Sequence, residues 1–265
     1  MHHTPPPRIA VVGAGRLGTA LFRALVAAGL DAGSAPLGRG ASAEGADVVL
    51  LCVPDRAIAA AAELIAPGPL VVHCSGASSV DLVAGAGHAR RGVLHPLMSV
   101  PTGEASLEGA CAAVRATVDG DAVLLRRLAE QLGMVPLDVA EDDRTAYHAA
   151  ATLASNALVA LQVAAAELAA TAGVPASALQ PLARASLAQV GADGPAALTG
   201  PAARGDWATV DAQRAAIAAR TPHLLPLFDA VSDACGRIAG TSRDAAPALA
   251  GAASTTPSPI TAESA

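Results

Sequence analysis

Two sets of polar residues have the types and spacing needed for proton transfer. His95 stands before Pro96 at the end of a short β-rich run, and histidine gains and loses a proton most easily near neutral pH. His148, Thr152 and Asn156 are spaced i, i+4 and i+8, so they share one face of a predicted helix and are expected to line a cleft. The alternatives are a structural cap before Pro96 and a polar contact between helices or subunits.

The segment 13–18, GAGRLG, has the GxGxxG pattern of a phosphate-binding loop and joins a predicted strand to a predicted helix. Gly13 allows the tight turn, Gly15 lets a pyrophosphate approach the backbone, and Gly18 allows close packing of helix on strand. The helix N-terminus offers free N–H groups and the positive end of its dipole to phosphates, beside Arg16 and Leu17. The sequence therefore predicts a dinucleotide site; the alternative is a glycine-rich turn without a ligand.

The choice between NADP and NAD depends on the residue that ends the second strand of such a domain. A weak β-rich run lies within 31–38, and Arg39 follows it, in a position suited to bidentate bonds with a 2′-phosphate. Asp31 is near the usual spacing of the acid that binds the ribose of NAD, but it precedes this run. The sequence favours NADP; the alternative is NAD, with Arg39 a solvated loop residue.

Ligands of open α/β sheets bind outside the carboxyl ends of the strands, and three predicted strand ends carry polar or turn-forming residues. Val53-Pro54 is expected to border the nicotinamide, because a proline lacks an N–H and can end a strand beside a flat ring. The alternative is a plain strand terminator. Ser75 is expected to contact cofactor or substrate through its hydroxyl, and Gly76 to leave room for the substrate. His73, inside a predicted strand, is expected to be a hydrogen-bonded core residue.

The elements that position these residues alternate between strand and helix as far as about residue 140. Strands are predicted over 8–12, 31–38, 47–53, 70–74, 92–94, 111–118 and 135–139, and helices over 17–28, 55–65 and 121–132. This alternation predicts an α/β fold with a parallel, doubly wound Rossmann sheet over 8–140.

The second half contains almost no β-branched run and is predicted to be all-α, with helices over 141–172, 176–190, 206–219 and 222–239. We expect a helical substrate and dimerisation domain over 141–244, with the substrate between the two domains. The Ala-rich stretch 149–172 is expected to pack against its copy in a homodimer. The ends, 1–7 and 245–265, are predicted to be disordered because of their composition.

Composition argues against several classes of protein. A net charge of −6 and 2% aromatic residues disfavour nucleic-acid binding. The N-terminus lacks the apolar core of a signal peptide, and the most apolar stretch, 149–172, contains polar residues, so no membrane span is expected. The four cysteines form no CxxC pair and metal-ligand spacing is absent, so no metal is expected. Cys52 and Cys74 are predicted to be small core residues of a cytoplasmic protein.

The segments GAGRLGTAL, VVLLCVPD, VVHCSGA and LHPL together resemble the 6-phosphogluconate-dehydrogenase-like superfamily. DRTAYHAAATLASNALVAL followed by ALTGPAARGD more specifically resembles the Rossmann-like and DUF2520 domain proteins, and the resemblance covers roughly 8–240. It implies an oxidoreductase that uses NADP or the deazaflavin F420. Relatives by fold include pyrroline-5-carboxylate reductases, prephenate dehydrogenases and ketopantoate reductases.

The resemblance also implies roles for individual residues. The His95-Pro96-Leu97 turn is similar to the His-Pro-Met turn of prephenate dehydrogenases, whose histidine is catalytic. Asn156 matches the asparagine that hydroxyisobutyrate-type dehydrogenases place on the first helix of their second domain. Their lysine position is Thr152 here, and the chain contains no lysine, so proton donation falls to His148 or His95.

The expected function is therefore NAD(P)H-dependent reduction of a small 2-keto acid or imine, with ketopantoate as the specific expectation from family analogy. Two alternatives stay open. One is an F420-dependent NADP reductase, which needs a basic cleft for a second large cofactor. The other is a nucleotide-sensing or partner-binding protein without catalysis, for which the face formed by His148, Thr152 and Asn156 would point into a subunit contact.

Overall fold

The computed structural model describes residues 7–38 and 40–243. Two compact units divide the chain, Met1–Ala157 and Leu158–Ala265. The division falls after the point at which the sequence predicts the second domain to begin, so the first helix predicted beyond residue 140 starts within the first unit. Arg39 lies outside the described residues, as do the tails predicted to be disordered, except for Pro7.

The first unit contains a single six-stranded sheet with strand order β1-β2-β3-β4-β5-β6. Its strands are β1 Ile9–Val12, β2 Val48–Leu51, β3 Leu70–His73, β4 Arg91–Leu97, β5 Cys111–Ala116 and β6 Val135–Leu137, and its helices before residue 140 are α1 Arg16–Ala27, α2 Ile58–Ala62 and α3 Asp119–Gln131. Strands β1 to β4 are parallel to one another. Their carboxyl ends therefore lie along one edge of the sheet.

Alternation of side chains along the buried strands builds a core on each face of this sheet. Val48 and Leu50 of β2 pack on one face with Leu21 and Leu25 of α1. Val49 and Leu51 face the other side, where α2 covers them together with the turn that follows β3. Continuous apolar runs are what a sheet covered on both faces requires. The doubly wound architecture predicted for the first part of the chain is confirmed.

The segment 31–38 does not form the predicted strand. It contributes one isolated bridge, in which the Leu37 N–H donates to the carbonyl of Val11 and the Gly13 N–H donates to the carbonyl of Leu37. These bonds use the edge of β1 that faces away from β2, so the segment occupies the place of the expected second strand. Its glycines, serine and proline leave too few apolar side chains to hold a regular strand there.

The sheet is mixed rather than wholly parallel. β5 runs antiparallel to β4, and β6 is parallel to β5 across α3. A parallel neighbour needs a crossover connection that is usually helical, and no helix lies in 98–110. Pairing with β5 also extends β4 to Leu97, well beyond the predicted 92–94. The predicted helix 55–65 is shorter too, a 3₁₀ turn at 55–57 followed by α2.

Beyond residue 140 every described element is helical. The first unit ends with α4, Arg144–Thr152, and a π-helical turn, Leu153–Ala157. The second unit contains α5 Leu158–Ala170, α6 Gln180–Asp193, α7 Trp207–Arg220 and α8 Leu225–Ala239. An all-α part after an α/β part is the predicted fold class, which is confirmed. The helix predicted over 141–172 is interrupted by the π turn.

One helical stretch of the described residues, Glu141–Ala170, has the length and composition of a membrane span. Its most apolar window has a mean hydropathy of 1.5, and none of that window is buried. Helices that pack against other protein surfaces pass the same test, and alanine supplies much of the apolar character here. The expectation of no membrane span stays a prediction.

Candidate functional site

The glycine loop between β1 and α1 has the geometry that its sequence predicts. Gly13 has φ +112°, which favours glycine, and a Cβ at this position would overlap the carbonyl oxygen of Cys52. A Cβ at Gly18 would overlap the carbonyl oxygen of Gly13, so α1 packs directly on the loop. By contrast, nothing lies within 4 Å of the place where a Gly15 Cβ would be. Gly15 therefore leaves open space above the backbone.

The first turn of α1 is free to bind an anion. Gly15 is the N-cap and supplies no side-chain hydrogen bond, and the first turn contains no acidic residue. Arg16 is exposed at the first helical position, whereas Leu17 is partly buried against the core. Uncapped N–H groups, a nearby cation and open space above Gly15 fit the pyrophosphate of a dinucleotide.

The residues that follow β2 and β3 at the carboxyl edge of the sheet differ in how exposed they are. Val53 is half-buried and Pro54 is exposed after β2. Ser75, after β3, is buried, and its hydroxyl donates to Asp55 Oδ2 at 2.8 Å while accepting the N–H of Ser78 at 3.1 Å. The hydroxyl predicted to contact cofactor or substrate is therefore engaged within the protein.

His73 is placed as the sequence predicts, inside β3 and fully buried. Its Nε2 bonds the carbonyl of Ser79 at 2.9 Å, and its Nδ1 accepts the N–H of Ser75 at 3.3 Å. Burial is the largest cause of a lowered pKa for this imidazole. Both ring nitrogens are thus used, and His73 holds the turn after β3 as a neutral residue.

His95, Tyr147 and His148 come together at the carboxyl end of β4. His95 Nδ1 and the Tyr147 hydroxyl are 2.8 Å apart, and their rings meet edge to face. The ring centroids of His95 and His148 are 6.3 Å apart. His95 lies within β4, opposite Ala113 of β5 and beyond the part of β4 that pairs with β3. The two histidines that the sequence treats as alternative proton donors are therefore neighbours.

Gly76 lies against both histidines. A Cβ at this position would lie 2.7 Å from His95 Cε1 and 2.8 Å from His148 Cδ2. Real Cβ atoms do not approach other atoms so closely, so any side chain here would displace both rings. The room that the sequence assigns to a substrate at Gly76 is taken up by the two imidazoles.

The protonation states within the cluster follow from its burial. Burial, the largest cause, together with the nearby charges of His148 and Arg144 lowers the pKa of His95 from 6.5 to about 4. Burial raises the pKa of Tyr147. Near neutral pH the His95–Tyr147 hydrogen bond therefore joins two uncharged groups.

Arg144 ties α4 to the turn after β3. Its side chain is buried, with Nε donating to the carbonyl of Ser78 at 2.7 Å and Nη2 to the carbonyl of Ser75 at 2.8 Å. Nη1 is also buried and has no hydrogen-bond partner among the described residues. Burial lowers the pKa of this guanidinium. The cation holds Tyr147 and His148, one turn later on α4, against the loop that carries Gly76.

A cavity of about 630 Å³ opens beside the cluster, within the range of ligand sites. It is lined by His95, Leu97, Met98, Ser99, Tyr147, His148, Ala150, Ala151, Thr152, Ala154, Ser155 and Asn156. The predicted polar face thus borders one cavity. The Thr152 hydroxyl donates to the carbonyl of His148 at 3.0 Å, and Ser155 bonds Ser99 at 3.1 Å.

The π turn changes how this face is built. Asn156 falls inside the turn, so the i, i+4, i+8 spacing is not that of a regular helix. One wider turn rotates the residues that follow it, and π turns are frequent at functional sites. Asn156 is exposed at the cavity rim and makes no hydrogen bond to His148 or His95.

Two residues of the cluster were not predicted to be functional. Tyr147 is the only tyrosine of the chain and immediately precedes His148. Arg144 is one turn before His148 on an Ala-rich helix. Each stands out by type, but neither has a role until the fold brings β3, β4 and α4 together. No group of three or more His, Cys, Asp or Glu side chains gathers in the parts of the chain that the structure describes.

Comparison with known proteins adds a family and a fold. Residues 110–235 match the model of a family described as a domain of unknown function, DUF2520. No curated protein sequence matches the chain significantly. Among solved structures, a candidate NADP oxidoreductase from Bacteroides fragilis, BF3122, is similar, with a TM-score of 0.75 and 23% identity over 88% of this chain and 98% of that one.

Two other structures extend the likeness. Protein TM1727 from Thermotoga maritima has a TM-score of 0.73 and 23% identity over 88% of this chain and 99% of its own. An imine reductase from Streptomyces aurantiacus has a TM-score of 0.61 and 16% identity over 86% and 95%. At these identities the likeness is one of fold. The resemblance inferred from the sequence is confirmed at this level: the chain has a Rossmann-type fold, and residues 110–235 match the DUF2520 family model.

Proposed function

We propose that this protein is an NAD(P)H-dependent oxidoreductase that reduces a small 2-keto acid or imine. The observation that carries the proposal is the placement of the glycine loop and the His95–Tyr147–His148 cluster on the same carboxyl edge. The loop follows β1 and the cluster lies at the end of β4. Three strand spacings of about 4.8 Å separate the two by roughly 14 Å across one rigid sheet.

The dinucleotide would be held by the loop residues Gly13, Gly15, Arg16, Leu17 and Gly18 and by Val53, Pro54 and the backbone of Ser75. The open space above Gly15 and the uncapped start of α1 support this assignment. When bound, the nicotinamide supplies a hydride for the reduction. We propose NADP on the strength of Arg39 in the sequence, with NAD as the alternative.

His148 is proposed as the proton donor and His95 as its neutral neighbour. With a pKa of about 4, His95 carries a proton in only about one molecule in a thousand at pH 7. A neutral imidazole whose Nδ1 accepts the Tyr147 hydrogen bond presents Nε2–H as a donor. His95 would then orient the carbonyl or imine of the substrate while His148 delivers the proton.

The substrate is proposed to occupy the cavity beside these rings. Thr152 and Asn156 are exposed along its rim. Thr152 is the proposed substrate contact, and Asn156 is proposed as a catalytic residue beside the two histidines. Ketopantoate is the specific proposal by family analogy, and a cyclic imine is the competing class. A volume of about 630 Å³ admits either.

A thermal-shift titration with NADPH, NADH and F420 tests the cofactor, because a ligand that binds only the folded state raises the melting temperature. NADPH oxidation is then followed with ketopantoate, other 2-keto acids and cyclic imines. His148→Asn should lose turnover and keep the NADPH shift, whereas exposed His223→Gln should keep both. Absence of a shift with every nucleotide would overturn the proposal. A shift with F420 together with NADPH would favour the deazaflavin alternative.

The protein is further proposed to act as a cytoplasmic homodimer. All four cysteines are free, which fits a reducing compartment. Large apolar side chains are exposed on α5 and α6 of the second unit, including Val159, Val163, Leu182 and Leu187. A contiguous apolar patch marks a partner surface, and these side chains are proposed to form one. Sedimentation of the wild type and of Val163→Glu tests this, since only the wild type should sediment as a dimer.

A further inference from the structure

Two thiols face each other directly beneath the glycine loop. Cys52 and Cys74 follow β2 and β3 immediately, and the register that pairs Leu51 with His73 places the two cysteines opposite one another. Their Sγ atoms are 3.8 Å apart. Cys74 is buried and Cys52 is half-buried. A disulfide requires about 2.05 Å between sulfurs and suits Cα atoms at the spacing of adjacent strands.

Cys52 also packs against the two structural glycines of the loop. A Cβ at Gly13 would overlap the carbonyl oxygen of Cys52, and a Cβ at Gly18 would lie 3.2 Å from Cys52 Cβ. No space is left between this cysteine and the loop. A shift of Cys52 toward Cys74 is therefore transmitted to the turn that carries Gly15.

We propose that Cys52 and Cys74 are a redox-modification site, whose oxidation to a disulfide reshapes the glycine loop and weakens dinucleotide binding. The change in the loop is independent of the proposed function, whereas the loss of dinucleotide binding rests on it. The oxidant is a small peroxide. The first thiolate attacks the peroxide to give a sulfenic acid and hydroxide, and the second thiol displaces water from the sulfenic acid to form the S–S bond. Two thiols are oxidised and one peroxide is reduced to two waters.

The surroundings make this reaction selective and slow. The hydrogen bond that the Cys52 thiol makes to Cys74 and burial both raise the pKa of the Cys52 thiol, so the reactive thiolate is scarce at neutral pH. The rate should rise with pH. Cys111 begins β5 and Cys235 lies in α8, and neither bonds another cysteine in the described chain. Both are replaced in the test, so that any cross-link must join Cys52 and Cys74.

The experiment uses the full chain with Cys111→Ser and Cys235→Ser, treated with hydrogen peroxide and then with dithiothreitol. Mass spectrometry should show loss of two hydrogens and a peptide cross-link between Cys52 and Cys74, both reversed by the reductant. Hydrogen exchange over 13–18 should rise on oxidation. NADPH affinity, from the thermal shift, should fall roughly tenfold. Adding Cys74→Ser should abolish the cross-link and the changes in exchange and affinity.

Oxidation of Cys52 to sulfinic acid without a cross-link would overturn the site. A cross-link that leaves exchange over 13–18 unchanged would overturn its effect on the loop. A cross-link with changed exchange but unchanged NADPH affinity would overturn the effect on binding. If the reduced protein binds no NADPH, the proposed function fails, while the cross-link and the exchange still decide the thiol pair.

Discussion

The glycine loop and the histidine cluster occupy the same edge of one sheet but are built in different ways. The loop consists of consecutive residues and works through its backbone, with Gly13 and Gly18 buried against their surroundings and Gly15 open. The cluster draws its members from three separate segments, with Gly76 after β3, His95 in β4, and Tyr147 and His148 on α4. A site made of backbone can be recognised in a short pattern, whereas a site made of side chains depends on tertiary packing.

The largest effect is expected at Gly18, where the loop leaves no room for a side chain. Gly18→Ala places a methyl group on the carbonyl oxygen of Gly13, which is backbone and cannot rotate away. We expect the free energy of unfolding to fall by about 3 kcal/mol or more, measured by urea denaturation.

Gly15→Ala is the matched control, because nothing lies within 4 Å of its Cβ position. Its stability should stay within about 1 kcal/mol of the wild type, while its NADPH thermal shift should disappear, because the methyl group stands where a phosphate would lie. Equal losses of stability in the two variants would remove the distinction between a structural and a ligand-facing glycine.

The second prediction concerns pH and the half-buried imidazole of His95. Its pKa is about 4 in the folded state and 6.5 when unfolded, so between these values the unfolded chain binds more protons. The free energy of unfolding should be highest above about pH 6.5 and fall by up to about 3 kcal/mol as the pH drops toward 4. Urea unfolding at several pH values measures the slope.

His95→Gln should reduce the slope of stability against pH. A smaller slope should remain, because burial also lowers the pKa of His73. The same slope in wild type and variant would show that His95 is not the group responsible. His148, Arg144 and Asp55 act on His95 electrostatically and are unchanged in the comparison.

The third prediction tests the packing of the two histidines. Gly76→Ala should cost about 1–3 kcal/mol, because its methyl group must displace the rings of His95 and His148. Gly85→Ala is the control, since it lies in the turn after β3 with nothing within 4 Å of its Cβ position. Histidine ring signals in NMR spectra should move for Gly76→Ala alone. Unmoved signals would contradict the close packing.

The same contrast explains what the sequence could and could not predict. The loop, the buried strands β1 and β3 and the all-α second half follow from local patterns. The direction of β5 does not, because it depends on a connection without a helix. The failure of 31–38 to form a strand reflects sparse apolar contacts, and the π turn at Leu153–Ala157 has no periodic signal. Arg144 and Tyr147 gain partners only through β3 and β4.

The smallest effect is expected from the hydroxyl of Tyr147. Tyr147→Phe removes the hydrogen bond to His95 Nδ1, 2.8 Å long, and should cost about 1 kcal/mol of stability. Without that bond the tautomer and orientation of His95 are no longer fixed. Turnover should therefore fall roughly tenfold while NADPH affinity is unchanged, the pattern expected when orientation in the transition state is lost.

Ser155→Ala is the matched control for this change, because it also removes a hydroxyl from the cavity wall but one that bonds the exposed Ser99. Its stability should change by less than about 0.5 kcal/mol, as at most surface positions, and its turnover should stay near that of the wild type. If Tyr147→Phe and Ser155→Ala have the same effects, the Tyr147 hydroxyl has no special role in the reaction and only lines the cavity. If only Tyr147→Phe loses turnover, and its NADPH binding is unchanged, the histidine pair lies where the substrate reacts. The glycine loop at the other end of the same sheet edge then serves cofactor binding alone.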